Sequence, residues 1–149
     1  MNPLTDNPAM QLYFASTVVL GLNLLVLANN TALSRAKATE VINPEDKRLN
    51  PKATVVFEAG NDLTSRYRRA HRNALENIPL FLITGYLLAL TSIPFTALAS
   101  LFGVFTLARV THSVTYLKGL QPWRTAAFAI GGLAQLGILG YLGYAAAVG

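Results

Sequence analysis

Four apolar runs leave this chain few ways to fold. Ala9–Ala28 is nearly unbroken, interrupted mainly by Gln11, Ser16, Thr17 and Asn23, and Ile78–Ser92, Phe95–Leu117 and Thr125–Val148 follow it. About 20 helical residues rise roughly 30 Å, the thickness of the hydrocarbon core of a bilayer. No water reaches that core, so a spanning segment must pair its own backbone groups, and a helix does so within one segment. Composition agrees. Of 149 residues, 52% are hydrophobic and 13% charged, with a mean hydropathy of +0.40, whereas soluble domains carry about a quarter charged residues. The expected fold is all-α: an integral membrane four-helix up-and-down bundle. It forms one domain over residues 1–149, with helices over 9–34, 62–92, 95–117 and 124–148.

The connections are unequal. Arg35–Leu63 is the longest polar segment and contains Asn43-Pro44-Glu45-Asp46 and Asn50-Pro51, which favour turns and stop helices. It is expected to leave the membrane, turn and return. Thr91–Pro94 is only a tight turn, and Lys118–Trp123 a short loop with Gly119 and Pro122. Nine of the 12 Lys and Arg lie between Arg35 and Arg72, and the others are Arg109, Lys118 and Arg124. The bias of basic residues to the cytoplasmic side therefore puts both basic loops there and both termini opposite. No basic residue precedes the first run, unlike a cleavable signal peptide, so the first helix is expected to be retained. A bacterial inner membrane is the expected location, with an endomembrane as the alternative. Most of the net charge of +5 resides in the segment Arg35–Arg72, which holds nine basic and five acidic residues. No basic patch interleaved with aromatics continues beyond it, so the expected partner is membrane lipid and not nucleic acid.

Polar residues at the mouths of the spans point to function. Arg66–Pro79 reads RYRRAHRNALENIP and runs directly into the second apolar segment. On a helix Arg69, Arg72, Asn73 and Glu76 share one face. Such a stripe is costly at a membrane unless it meets protein, water or a ligand. In the third span Arg109, His112, Ser113 and Tyr116 likewise share a face. An intramembrane arginine costs about 2.5 kcal/mol or more. Arg109 lies about 12 Å before the loop, too deep for easy snorkelling, so a partner is expected. Glu76, the acidic residue near the second span, is the candidate. An Arg109–Glu76 pair would be purely structural, and His112 alone reads as an interior hydrogen-bonding residue.

Several chemistries are excluded. There is no cysteine, and neither His71 nor His112 stands in a ligand pair, so no metal site is expected. No Gly-rich phosphate loop or serine nucleophile elbow occurs. Any sulfur chemistry must arrive with a ligand. What remains is a cluster of cations and amides at the cytoplasmic ends of helices two, three and four. It suits a ligand with carboxylates, or an anion formed during reaction.

The sequence Arg69-Ala70-His71-Arg72-Asn73-Ala74-Leu75-Glu76-Asn77, followed by Ile78-Pro79, resembles the signature of the MAPEG family, the membrane-associated proteins of eicosanoid and glutathione metabolism. Asn43-Pro44-Glu45-Asp46 is similar to the family's first-loop motif, and Arg109–Leu117 to its third-helix motif. Arg124-Thr125 is similar to the pair that opens its fourth helix. The likeness covers nearly the whole chain and is nearest to the branch of microsomal glutathione transferases and prostaglandin E synthase. It implies a homotrimer of four-helix protomers binding glutathione between neighbouring subunits near the cytoplasmic face. By that implication Arg69, Arg72, Asn73 and Glu76 hold the tripeptide's carboxylates and amine. Arg35, Arg109, His112 and Tyr116 complete the pocket, and Arg124 lies beside the sulfur with Asp46 as its partner and Thr125 next to it. A guanidinium favours a thiolate, and two units of thiol pKa correspond to about 2.7 kcal/mol.

Two departures bear on the activity. Thr125 stands where the prostaglandin synthase has serine, and Phe128 where it has tyrosine. The implied function is therefore a glutathione transferase or peroxidase acting on a hydrophobic small molecule or lipid substrate. The alternatives are a non-catalytic lipid-binding or scaffold member of the same fold and a small exporter. The exporter lacks support, because no Asp or Glu lies within Ala9–Ala28.

Overall fold

The computed structural model describes residues 5–57 and 61–148; residues 1–4, 58–60 and 149 lie outside it. Helix α1 (Pro8–Lys37) leads into a first loop containing strand β1 (Glu40–Val41), a 3-10 turn (Pro44–Arg48) and strand β2 (Thr54–Val55). Helices α2 (Asp62–Ala89), α3 (Phe95–Lys118) and α4 (Trp123–Val148) complete the chain. Compared with the expected ranges, α1 runs on to Lys37 and α2 stops at Ala89. Of the four helices, α1, α3 and α4 are each long and apolar enough to cross a membrane. The first half of α2 is charged, and its apolar half begins at Ile78.

Local chemistry sets the ends. Asn7 caps α1 by accepting the Ala9 N–H at 2.9 Å, with Pro8 in its first turn. Arg35 and Lys37 in the last turn of α1 face the negative end of its dipole. Asn61 caps α2 through the Thr64 N–H at 3.0 Å. Gly119 ends α3 at φ 69, a left-handed conformation that suits glycine. A side chain there would also collide with Arg66, whose Nη1 lies 2.7 Å from the position a Cβ would take.

Between helices in lipid there is little hydrophobic driving force, so close packing and interhelical hydrogen bonds hold the bundle. Phe81 of α2 stacks on Phe105 of α3 at 4.4 Å and meets Phe102 edge-on at 5.1 Å, and all three are fully buried. Tyr13 donates to the Leu82 carbonyl (2.9 Å), Asn23 to Ser113 Oγ (3.0 Å), and Gln135 to Thr84 Oγ1 (2.9 Å). These bonds join α1 to α2, α1 to α3, and α4 to α2. Leu22, Leu25, Leu107, Leu133 and Leu136 are exposed on the surface of the bundle. That suits a lipid-facing exterior.

The basic loops share one end of the bundle. Thr64 Oγ1 donates to Ser34 Oγ at 3.0 Å, joining the start of α2 to the end of α1, and Arg66 reaches the Leu117 carbonyl of α3 at 3.5 Å. The chain is thus the expected membrane four-helix bundle, with one addition. In the first loop β1 and β2 pair in parallel, Glu40 opposite Thr54 and Val41 opposite Val55. Two-residue strands are too short to show a period, so nothing in the pattern announces them. The glycines of α4 also divide unexpectedly. Gly140 and Gly143 have open space around them, whereas Gly131 and Gly137 abut Arg109 and Leu101.

Because the three phenylalanines form the centre of the α2–α3 contact, Phe81→Ala should cost about 3 kcal/mol. Leu107→Ala, on the outer face, should change stability by less than about 0.5 kcal/mol. Denaturant unfolding in detergent micelles, followed by circular dichroism, compares the two.

Candidate functional site

The third span carries Arg109, His112, Ser113 and Tyr116 on the face it turns toward the bundle, and α4 covers part of that face. Arg109 is 2% exposed. Its guanidinium lies between the rings of Phe105 and Phe128, at 5.2 and 5.3 Å, and donates to the Phe128 carbonyl at 3.4 Å. Two aromatic faces replace part of the lost hydration. Nε and Nη1 of Arg109 are buried with no partner among the described residues. Gly131 makes room for this head group: a Cβ there would fall 2.7 Å from Nη2. One turn along, the buried His112 ring meets Tyr116 edge-on at 5.6 Å and Phe128 at 5.8 Å.

At the mouth of this face Arg124 opens α4. Its guanidinium sits over the Tyr116 ring at 4.8 Å. Gln121 completes the corner. With its amide oriented to satisfy both neighbours, the nitrogen donates to Thr125 Oγ1 at 3.0 Å and the oxygen accepts from Arg124 Nε at 3.2 Å. Arg109, His112, Tyr116, Arg124 and Phe128 therefore form one continuous cationic and aromatic cluster, buried at Arg109 and His112, with Thr125 beside it. Phe128 caps the deeper arginine and leaves Arg124 toward the loop.

A second group gathers at the first loop. Arg35, from the last turn of α1, lines a groove of about 390 Å³ with Glu40, Asp46 and Asn50. Asp46 belongs to the 3-10 turn, where its Oδ2 accepts the Asn43 N–H at 3.3 Å. Arg35 Nε is buried without a partner among the described residues. Cation and carboxylate thus face one open groove.

The stripe on α2 divides. The buried line of that helix runs through Ala70, Ala74, Ile78 and Phe81, which turns Arg69, Arg72 and Glu76 outward. Arg72 and Glu76 pair at 3.2 Å with side chains 82% and 56% exposed. This corrects one expectation: Glu76 does not pair with Arg109, because its stripe points away from α3. Among the described residues Arg72–Glu76 is the one ion pair, so Asp46 and Arg124 do not pair within the chain. Asn73 behaves differently. It shares a stripe with Asn77 and Thr84, and Thr84 meets Gln135, which shares a stripe with Arg124, Phe128 and Gly131. Asn73 Oδ1 is buried and unpartnered among the described residues, on the side of α2 that faces the α4 seam.

Residues 13–144 match the MAPEG family. The chain belongs to that family. Microsomal glutathione S-transferase 1 of Rattus norvegicus is 32% identical over 137 residues, spanning 88% of this chain and 86% of the relative. The Homo sapiens protein of the same name is 37% identical over 127 residues, 79% of each chain. Prostaglandin E synthase of Macaca fascicularis is 34% identical over 133 residues, 88% of this chain and 84% of its own.

In this MAPEG protein the basic end holds three sets of side chains in different places. Arg109, His112, Tyr116, Arg124 and Thr125 stand at the α3–α4 face, and Arg69, Arg72 and Glu76 stand on the outer face of α2. Arg35 and Asp46 occupy the loop groove. Two residues that matter here escape a reading of the sequence. Gln121 lies three residues before Arg124 and four before Thr125, a helical spacing that Pro122 conceals. Gly131 is one of several glycines in α4, and only its neighbour Arg109 distinguishes it.

The Arg109–Gly131 contact makes a measurable prediction. Gly131→Ala should push the guanidinium off the two rings and destabilise the protein by about 2 kcal/mol. In an Arg109→Met background the same change should cost less than about 1 kcal/mol, a coupling of about 1 kcal/mol or more in a double-mutant cycle of unfolding midpoints.

Proposed function

We propose that this MAPEG protein is a glutathione-dependent membrane transferase and peroxidase. It activates the glutathione thiol for attack on hydrophobic electrophiles or on lipid hydroperoxides. The observation that carries this reading is the placement of Arg124. A guanidinium held by Tyr116 and Gln121 at the mouth of a face containing His112 is a fixed positive charge, in a chain with no thiol of its own. Its charge persists at any working pH and favours a bound thiolate over the thiol. The names of the similar proteins, a glutathione S-transferase and a prostaglandin E synthase, support the same chemistry.

The donor set fits the tripeptide. Glutathione carries two carboxylates and an ammonium. Arg35, Arg69 and Arg72 supply cations for the former, Glu76 an anion for the latter, and Asn73 an unpartnered carbonyl. Since Arg69, Arg72 and Glu76 lie on another face of the protomer from Arg124, the reading places each site between neighbouring copies of a homotrimer. Asp46 of one copy then approaches Arg124 of the next. Arg109 lies under Phe128 and acts on the site through that ring and His112. Conjugation joins sulfur to the electrophile's carbon and releases the leaving group. Reduction of a hydroperoxide consumes two glutathione molecules and yields the alcohol, water and glutathione disulfide. Apolar substrates arrive through the bilayer, for which a bacterial inner membrane is the proposed setting.

Arg124→Ala should lower turnover of glutathione with a chlorinated nitrobenzene about a hundredfold, while glutathione affinity by calorimetry shifts less than about threefold. Unchanged turnover would remove Arg124 from the chemistry. Wild-type protein that bound fatty acids and gave no heat with glutathione would support the lipid-binding alternative.

A further inference from the structure

Three elements of the basic end converge on Glu40. Its Oε2 accepts both the backbone N–H and the side-chain Nδ2 of Asn61, each at 3.2 Å. Asn61 is the N-cap of α2, accepting the Thr64 N–H at 3.0 Å and donating to Thr64 Oγ1 at 2.8 Å. That hydroxyl in turn donates to Ser34 Oγ, in the last turns of α1, at 3.0 Å. A continuous chain of hydrogen bonds therefore runs from the first loop through the start of α2 to the end of α1. Thr64 and Ser34 within it are buried. A carboxylate at a helix start also meets the positive end of the helix dipole.

Two further observations connect this chain of bonds to the site. Glu40 lines the same groove as Arg35 and Asp46, and Arg35 directly follows Ser34. The residue before Glu40, Thr39, is held at φ 57, a left-handed conformation that a β-branched residue adopts only where its surroundings impose it. On one side Thr39 is held by its carbonyl, which accepts the Thr54 N–H at 3.0 Å. On the other side the Glu40–Asn61 bonds hold it. The Val56 N–H, donating to the Val41 carbonyl at 2.8 Å, also holds β1, but within the loop itself, whereas the Glu40–Asn61 bonds tie the loop to α2.

We propose that Glu40 is a positioning residue: it fastens the first loop to the N-terminus of α2 and so sets the spacing of Asp46 and Arg35 across their groove. The fastening stands on the geometry alone, and its consequence for glutathione rests on the function proposed above.

The test uses the full-length protein in lipid nanodiscs, with Glu40→Ala, Glu40→Gln and Asn61→Asp. Aspartate still caps α2 but loses the Nδ2 donor and sets a like charge against Glu40. Amide hydrogen exchange over residues 39–57 should rise in Glu40→Ala and Asn61→Asp, with α3 and α4 unchanged. Glu40→Gln, which keeps an acceptor, should fall between these and the wild type. The glutathione KM should rise about tenfold in the first two variants, while kcat changes less than about twofold. Unchanged exchange over 39–57 in both variants overturns the proposal. So does a loss of protection spread through all four helices, which would mark a merely structural role. If the wild type neither binds nor turns over glutathione, the functional reading fails, and the exchange result alone still decides the fastening.

Discussion

A polar side chain carried to hydrocarbon depth has no water to answer it, and this constraint shapes the whole bundle. Each interhelical hydrogen bond in the apolar region answers such a group: Tyr13 on the Leu82 carbonyl, Asn23 on Ser113, Gln135 on Thr84. Arg109 is the extreme case. Among the described residues no carboxylate pairs with it; two phenylalanine rings, one backbone carbonyl and the space left at Gly131 hold its charge. The position of Phe128 follows from that arrangement. So does the packing of His112 against it, and through Tyr116 the seat of Arg124.

The two ends of the molecule are built differently for the same reason. At the end with the Thr91–Pro94 turn, apolar residues such as Ile93 and Leu98 are buried and the connection is short. At the basic end the chain spends its polar residues on a long loop, capped helix starts and cations that water can reach. A site for an ionised ligand has to sit at this boundary. Charged groups there keep part of their hydration, while the apolar spans beside them admit hydrophobic molecules from the bilayer. The miniature parallel pair of β1 and β2 belongs to this end too, where it ties down a loop that carries Asp46.

Much of this was legible in the order of residues. Apolar runs long enough to span, with all basic residues but Arg109 at or near two loops, leave a helical membrane bundle with those loops on one side. Signature residues such as Arg69-Ala70-His71 and Asn77 point to the family. Other features were not legible. Helical spacing put Arg69, Arg72, Asn73 and Glu76 on one stripe, but spacing cannot say which way a stripe is turned. The stripe splits, because Ala70 and Ala74 occupy the core and rotate the charged residues outward. The surroundings of Arg109 are not legible for a related reason: cation–π contacts and a missing Cβ leave no charge pattern to find.

The sequence alone determined that the chain spans a membrane as four helices, which end carries the charge, and which family it joins. These follow from hydropathy, from basic-residue bias and from a motif, all of them one-dimensional. Only the tertiary structure decided which side chains meet. Helix rotation set Phe128 over Arg109 and Tyr116 under Arg124, and loop closure brought Glu40 to Asn61. Such contacts depend on how rigid helices turn and approach in space, and neighbours along the chain carry no record of it.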